Sequence, residues 1–367
     1  MTNRIVIFGA TGYTGGLVTE ALTRRGARPI LAGRNADRLA RLAAQNGDLE
    51  YRIADVSNPA SVRDLVDPGD VLVTTVGPFE RYGYPVAQAA VDAGAHYLDS
   101  TGEVGFVHEL QRRHHVRARE VGTVMVPAFG YDYVPGMLAG ALALKAGGTA
   151  ARDIEIGYFA IGSLRNGLSQ GTRKTAAEGL TLPSLVWRRH QLVEETTARQ
   201  VRSFPVRGKS KNAFLVSGTE VLFLPPEFAN LDAVSVYNGW FPPLSRAVQV
   251  MSAVANAAVG VPYGRTVVDA LSGRTAGGEG GPDVAERART LSHVVAVARD
   301  SGGGAVAEAH LEGPSPYTLT GELLAWAADR LACGTGKNPG VVGPVHAFGL
   351  EELISGCSDV GLREVKQ

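Results

Sequence analysis

Cysteine, net charge and long apolar runs are all scarce in this sequence. It has two cysteines, Cys333 and Cys357, too few for a disulfide framework or a cysteine-based zinc site, and they suit a reducing cytoplasm. Lysine plus arginine and aspartate plus glutamate number 36 each, so no bulk charge favours binding to nucleic acid. The most membrane-like stretch, AVQVMSAVANAAVGV at 247–261, is shorter than the ~20 apolar residues that cross a bilayer.

Signals for export and for metal binding are also missing. Met1 to Arg4 lead straight into an apolar run, so we expect no secretory leader and a cytoplasmic protein without a transmembrane segment. The eight histidines include no H-x-x-x-H pair, and we expect no metal. A chain of 367 residues, of which 45% are hydrophobic, can bury two cores and is more naturally two domains than one.

What the sequence does contain is a glycine-rich turn, IVIFGATGYTGG at residues 5–16, followed by the helical pattern LVTEALTRRG. Its G-x-x-G-x-x-G spacing permits a tight turn, the approach of a pyrophosphate and close packing of the helix. The residues expected at the cofactor's phosphates are Gly9, Thr11, Gly12, Tyr13, Thr14 and Gly15. No lysine follows Gly15, which excludes a Walker-type NTPase.

Strand-like runs and helical segments alternate after this turn. PILAGR, EYRIADV, DVLVTTVGPF and AHYLDSTGE each end in a polar or glycine-rich loop, which predicts a Rossmann-type doubly wound α/β domain over residues 1–130. RDIEIGYFAI, LSHVVAVARD and AVAEAHLEG alternate polar and apolar residues, which predicts an α+β substrate domain with a mixed or antiparallel sheet over 131–330. We expect a helix capped by Thr320, and residues 331–367 packed back on the first domain.

The end of the second predicted strand selects the cofactor. NAD sites carry an acidic residue there for the ribose hydroxyls, whereas this chain has Gly33, Arg34 and Asn35, with Arg38 one helical turn further on. A guanidinium can hold a 2′-phosphate through charge-assisted hydrogen bonds, so we predict NADP(H). Asp55 closes the third strand and is expected either at the adenine edge or as the cap of the next helix.

Hydride transfer requires the nicotinamide at the carboxyl ends of the strands, with the substrate in the cleft between the domains. We expect the backbone of Val76, Gly77 and Pro78 beside the cofactor, and Thr101 with Gly102 at its ribose or carboxamide. The candidate proton donors are Tyr82, Glu103, Tyr131, Asp132 and Tyr133. A tyrosine is the better proton donor for reduction of a C=C bond, and a carboxylate is the better partner for a C=N bond. For each of these residues the alternative role is a structural hydrogen bond.

Several blocks resemble the saccharopine dehydrogenase-like oxidoreductases. VGPFERYGYPVAQAAVDAGAHYLDSTGE (76–103) and FGYDYVPG (129–136) resemble their nucleotide domain, and NGLSQGTRKTAAEGL (166–180) is similar to the start of their second domain. PSPYTLTGELLAWAADRL and NPGVVGPVHAFGLEELI look like the tail of the subgroup that includes bacterial trans-acting enoyl reductases. The resemblance implies a redox enzyme whose family spans imine and amine chemistry and C=C reduction on lipid or polyketide chains.

The residues leave the substrate open. A saccharopine-type substrate carries two carboxylates and needs converging cations, for which the second domain offers Arg165, Arg173, Lys174, Arg188 and Arg189. AVQVMSAVANAAVGV and the preceding YNGWFPPL suit an apolar ligand, or an ordinary core. Our leading hypothesis is an NADPH-dependent reductase of an apolar or carrier-bound intermediate such as an enoyl thioester. The alternatives are an imine or amino-acid dehydrogenase and a non-catalytic NADP-binding sensor or partner protein, and a homodimer is compatible with each.

Overall fold

The protein is described by a computed structural model of residues 3–162, 183–259 and 280–366. The block 166–180 and the candidates Arg165, Arg173 and Lys174 lie outside the described residues. The chain divides into two compact units. The first comprises Met1–Val134 with Tyr317–Gly361, and the second comprises Pro135–Pro316 with Leu362–Gln367.

The secondary structure begins as alternating strands and helices. These are β1 Ile5–Phe8, α1 Tyr13–Arg24, β2 Ile30–Gly33, α2 Ala36–Gln45, β3 Tyr51–Ile53, α3 Pro59–Arg63, β4 Val71–Thr74, α4 Phe79–Ala93, β5 His96–Asp99, α5 Val104–Glu120 and β6 Val124–Val126. The next elements are α6 Val134–Gly147, β7 Asp153–Ile161, β8 Pro183–Arg188, β9 Gln191–Thr196, β10 Val201–Val206, β11 Lys209–Val216, α7 Glu220–Glu227, β12 Ala233–Asn238, α8 Ser245–Val259, α9 Val284–Ala288, β13 Leu291–Arg299 and β14 Ala305–Gly313. The chain ends with α10 Pro316–Ala332, β15 Gly340–Val341, α11 Pro344–Phe348, α12 Leu350–Asp359 and β16 Arg363–Glu364.

The first unit is built around a 7-stranded parallel sheet with the order β15-β6-β5-β4-β1-β2-β3. Strands β1, β2 and β4 are buried throughout, which is why their sequences are almost entirely apolar. The register sets Phe8 beside Ala32 and Thr74, so the carboxyl ends of three strands meet at one edge of the sheet. The Rossmann-type prediction is confirmed.

The helix α10 lies in this first unit from Tyr317 onward. Its Trp326 side chain packs against two aromatic rings of that unit. Trp326 stacks on Phe129 with ring centroids 6.1 Å apart and meets Phe348 at 4.9 Å. The structural division therefore falls at Pro316/Tyr317 and not at 330/331. The helix begins at Pro316, whose fixed φ suits a first helical position, and not at the expected cap Thr320. The Thr320 hydroxyl instead accepts a hydrogen bond from the Tyr131 N–H at 3.0 Å.

The second unit has a 9-stranded mixed sheet, as the alternating sequence predicts. Its main path is β10-β11-β12-β7-β13-β14-β16, with β8 pairing β12 and β9. Within the described strands of this second sheet, only the β12–β7 pairing is parallel. A buried cluster of this unit consists of Phe159, Val186, Phe204, Val206, Ala213, Leu215, Tyr237, Val295 and Val297.

Candidate functional site

The turn between β1 and α1 needs glycine at two positions for physical reasons. Gly9 has a φ of 88°, and a Cβ there would lie 2.8 Å from both Thr75 Oγ1 and Val76 Cγ2. A Cβ on Gly15 would overlap the carbonyl oxygen of Gly9, so glycine lets α1 approach the turn. The turn is held by the N–H groups of Gly9 and Ala10, which donate to the Ala32 carbonyl at 2.9 and 3.2 Å.

The amino end of α1 is free of side-chain caps. Gly12 is the N-cap residue, its backbone is extended, and it has no side chain that could accept from the first turn. The first turn also contains no acidic residue. An uncapped helix start with its positive dipole end intact is a site where an anion such as a pyrophosphate binds well.

A cavity of about 300 Å³ opens directly beside this turn. The turn and α1 contribute Ala10, Thr11, Gly12 and Gly16, and α2 contributes Arg38, Arg41, Leu42 and Gln45. Two guanidinium groups and a helix amino end therefore converge on one pocket, which is the electrostatic setting that a phosphate ester requires. These residues fit the adenosine end of a phosphorylated dinucleotide.

The sequence anticipated Arg38 as a neighbour of the site but missed Arg41 and Gln45. The available signal is helical spacing: positions 38, 41, 42 and 45 lie on one side of α2, opposite the buried Leu39 and Ala43. Arg41 has no ion pair with any described residue. The missing information was that this side of α2 faces the glycine turn, which only the packing of the two helices reveals.

The residues at the ends of β2 and β3 have mixed roles. The Asn35 side chain accepts from the Arg38 N–H at 2.9 Å and so caps α2. Asp55 Oδ1 accepts from the N–H and the hydroxyl of Ser57, both at 2.9 Å, and these bonds, together with Arg34, lower the pKa of the carboxyl. Asp55 does not cap α3, because the N-cap position of that helix is Asn58. Gly33 ends β2, and Arg34 follows it as an exposed residue.

The loops that follow β4, β5 and β6 are joined by three side chains, Asp99, Thr101 and Glu103, which we call the polar frame. Asp99 Oδ1 accepts from the N–H groups of Thr101 and Ala128 at 2.9 and 2.8 Å. Thr101 Oγ1 accepts from the Glu103 N–H at 3.0 Å. The Glu103 carboxylate in turn accepts from the first N–H groups of α4, those of Phe79 and Glu80, both at 2.9 Å.

Asp99 is the buried centre of the polar frame. Its side chain has no exposed surface, and this burial raises the pKa of its carboxyl to about 6 despite the two N–H donors. Asp99 Oδ2 and the Tyr97 hydroxyl are both buried without a hydrogen bond of ordinary geometry to any described residue. Burial and the nearby Asp99 charge raise the pKa of the Tyr97 hydroxyl.

The residues of these loops that are predicted to contact the cofactor neighbour the polar frame along the chain. Val76 to Pro78 immediately precede α4, and Thr101 is itself a frame member. The carbonyl of Gly102 accepts from the Tyr133 hydroxyl at 2.9 Å. The frame thus fixes the carboxyl edge of the sheet, where the nicotinamide half of the cofactor is predicted to lie.

The candidate proton donors differ sharply in their surroundings. The Glu103 carboxylate is engaged as a helix cap, and the Tyr133 hydroxyl donates to a backbone carbonyl. Tyr131 is buried. Tyr82 is partly exposed on α4 with the Arg81 guanidinium 5.0 Å from its ring centre. Desolvation raises the pKa of the Asp132 carboxyl to about 6, so this group can exchange a proton near neutral pH.

In the second unit, Arg188 is already paired. Its Nε lies 3.3 Å from Glu195 Oε1, and its Nη1 donates to Ser235 Oγ at 2.8 Å. Arg189 lies in the turn between β8 and β9 with a φ of 49°. Among the described residues no group of three or more His, Cys, Asp and Glu could hold a metal ion. None of the helices in the described part of the chain is long and apolar enough to span a bilayer.

Comparison with known proteins connects this geometry to a family. Residues 5–126 match the family model of the saccharopine dehydrogenase NADP binding domain. Over these residues the chain is therefore similar to a saccharopine dehydrogenase-type NADP-binding domain. The match covers β1 to β6, including the glycine turn, the basic pocket and the polar frame, and it confirms the predicted cofactor, NADP(H).

Curated relatives are similar to a part of the chain. The trans-acting enoyl reductase of Mycobacterium leprae is 39% identical over 140 residues, which are 36% of this chain and 34% of the relative. A putative trans-acting enoyl reductase of Mycobacterium tuberculosis is 35% identical over 187 residues, which are 49% of this chain and 45% of the relative. The chain thus spans less than half the length of these relatives.

Among solved structures, the saccharopine dehydrogenase (L-Glu forming) of Saccharomyces cerevisiae shares the fold. The TM-score is 0.66 at 12% sequence identity, and the likeness covers 99% of both chains. It confirms the predicted combination of a Rossmann-type sheet with a second, mixed sheet.

Proposed function

We propose that this chain is an NADPH-dependent reductase that transfers a hydride to an apolar or carrier-bound biosynthetic intermediate, such as an enoyl thioester. The observation that carries the proposal is the basic pocket of Arg38 and Arg41 beside an uncapped glycine turn, within a domain that matches an NADP-binding family. The enoyl part rests on the names of relatives that are 35% and 39% identical.

Each part of the first unit has a role in this proposal. The glycine turn and the amino end of α1 would hold the pyrophosphate, and Arg38 and Arg41, with Arg34, would hold the 2′-phosphate. The polar frame would keep the loops at Val76–Pro78 and Thr101–Gly102 in place beside the nicotinamide. When bound, NADPH supplies the hydride.

The remaining requirement is a proton. Reduction of an enoyl C=C bond adds hydride at the β-carbon and a proton at the α-carbon. Glu103 caps a helix, Tyr133 donates to a loop carbonyl and Tyr131 is buried, so Tyr82 and Asp132 are the candidates that we favour. A carboxyl with a pKa of about 6 would also suit an imine substrate, so Asp132 favours the imine or amino-acid dehydrogenase as the second candidate.

The cofactor assignment is tested by calorimetric titration with NADPH and NADH. We expect NADPH to bind the wild type more tightly than NADH. Arg38→Ala/Arg41→Ala should weaken NADPH binding by about 10- to 100-fold, because two charge-assisted bonds are lost at an exposed site, and should leave NADH binding unchanged. Arg117→Ala, which removes an exposed arginine from α5, is the matched control. Equal loss of both nucleotides would refute a 2′-phosphate role for the pocket.

The reaction is tested by following NADPH oxidation with two substrate sets. Enoyl thioesters should be reduced, and 2-keto acids mixed with amines should not, if the leading proposal holds. Turnover of the second set alone would favour the imine dehydrogenase. Tight NADPH binding without turnover of either set would favour a non-catalytic NADP-binding protein.

A further inference from the structure

The helix α8 turns three polar side chains, Ser245, Gln249 and Ser252, toward the protein. Ser245 donates to the Asn212 carbonyl at 3.1 Å, Gln249 donates to the Arg199 carbonyl at 2.8 Å, and Ser252 donates to the Thr197 carbonyl at 2.5 Å. Ser245 and Ser252 are buried. The helix is therefore fastened to the edge of the second unit through hydrogen bonds along its inner side.

The outer side of the same segment is apolar. Phe241 and Leu244 in the preceding turn are 39% and 54% exposed, and Val250 and Met251 on the helix are 63% and 61% exposed. A surface helix ordinarily buries its apolar side and exposes its polar side to water. In α8 the arrangement is the reverse, since Val250 and Met251 are exposed and Ser245 and Ser252 are buried. An apolar patch kept in water on a fastened helix marks a surface that another apolar body covers. We call Phe241, Leu244, Val250 and Met251 the outer patch.

The sequence that carries the outer patch and the neighbouring hairpin lacks acidic residues. No aspartate or glutamate occurs from Ala233 to Val268, nor in the hairpin of β10 and β11 over 201–216. In that hairpin Arg202 and Arg207 are paired with glutamates. Lys209, Lys211 and, on α8, Arg246 have no ion pair with any described residue.

Lys211 and Arg246 flank the hydrogen bond that anchors α8. Lys211 precedes Asn212, whose carbonyl anchors Ser245, and Arg246 follows that serine on the helix. Desolvation together with the neighbouring Arg207 and Lys209 lowers the pKa of Lys211, as expected where like charges gather. Exposed apolar side chains beside uncompensated cations are the combination that binds an anionic lipid surface.

We propose that the outer patch docks on an anionic lipid bilayer, with its four apolar side chains entering the headgroup region and Lys209, Lys211 and Arg246 facing the lipid phosphates. A second copy of the chain fits this surface less well. A two-fold dimer through the patch would bring both sets of cations together, and like charges oppose such a contact. The proposal does not depend on the reductase function.

Co-sedimentation of the full chain with lipid vesicles tests the proposal. Vesicles of phosphatidylcholine with phosphatidylglycerol should bind the protein, and vesicles of phosphatidylcholine alone should bind it at least tenfold more weakly. Added salt should reverse the binding. Val250→Asn/Met251→Asn and, separately, Lys209→Ala/Lys211→Ala should each reduce binding by about tenfold or more.

Ile53→Asn and Val116→Asn are the matched controls, because these apolar residues are 61% and 69% exposed in the first unit. Both should bind vesicles as the wild type does. Equal binding to both vesicle types, or no binding at all, would overturn the proposal. So would a dimer in solution that Val250→Asn/Met251→Asn dissociates, since a second copy would then cover the patch.

Discussion

Replacement of Asp99 by asparagine should change how the stability of the first unit depends on pH. The folded carboxyl has a pKa of about 6, against an ordinary value of 3.8. Between pH 4 and 6 the unfolded carboxyl is ionised while the folded one keeps its proton, so stability falls as the pH rises through this window and is level above it. The shift of about 2 pH units corresponds to roughly 3 kcal/mol at most.

Asparagine keeps the oxygen that accepts from Thr101 and Ala128 but cannot ionise. The free energy of unfolding of Asp99→Asn should therefore lose this dependence on pH and exceed that of the wild type at pH 7 by up to roughly 3 kcal/mol. Urea unfolding from pH 4 to 7 measures the difference, and hydrogen exchange of the β5 and β6 amides assigns it to the first unit. Asp48→Asn, at an exposed turn residue, is the control. Parallel pH profiles for the wild type and Asp99→Asn would refute the reasoning.

Three further predictions concern single residues. Gly9→Ala should lower the melting temperature and weaken NADPH binding at least tenfold, because the φ of 88° and the Thr75 side chain both oppose a Cβ at this position. Gly16→Ala is the control. Its Cβ would meet nothing within 4 Å, so this variant should melt as the wild type does. Glu103→Ala should lower the free energy of unfolding in urea by about 1–3 kcal/mol, because two helix N–H groups lose their acceptor, and a loss of turnover at unchanged stability would contradict the capping role. The hydrogen bond from Arg207, and to a smaller extent that from His293, lowers the pKa of the Glu312 carboxyl to about 2 from its ordinary 4.5. The ionised carboxyl therefore stabilises the fold above pH 4.5, and this stabilisation is lost as the pH falls toward 2. Acid unfolding followed by circular dichroism should show that loss in the wild type and not in Glu312→Gln.

The glycine turn could be predicted because its constraints are local. Gly9 requires a positive φ and Gly15 a close approach of backbone to backbone, and both requirements act over a few residues. The strands could be predicted for a similar reason, since burial on both faces forces a continuous apolar run such as Ile5–Phe8. Both features depend on residues that are close together in the chain, so the sequence alone is enough to predict them.

The roles of Glu103 and Arg41 could not be predicted in this way, because they depend on contacts between distant segments. Glu103 caps a helix that begins at Phe79, and the sequence around residue 103 does not indicate that its carboxylate contacts that helix. Arg41 lies on an ordinary exposed helix side, and it becomes a pocket residue only because α2 packs beside the glycine turn. A carboxylate in a predicted active-site loop can therefore be structural, while a plain surface arginine can line the site.

The helix α8 shows a further limit of periodicity. Its spacing identifies a helix correctly over Ser245–Val259. The sequence interpretation took the apolar residues of 247–261 as core or as the lining of an apolar site, whereas Val250 and Met251 are exposed. The side chains from 254 onward in this stretch lie outside the described part of the chain. Ser245, Gln249 and Ser252 recur at helical spacing and form a polar stripe as regular as the apolar one. Which stripe faces inward is decided by the partners: the carbonyls of Thr197, Arg199 and Asn212 each offer an acceptor, and three hydrogen bonds fix the polar side against the protein. Because these hydrogen bonds hold the polar side inward, Val250 and Met251 remain exposed on the other side of the helix. This exposure is the reason for proposing that a lipid surface covers them.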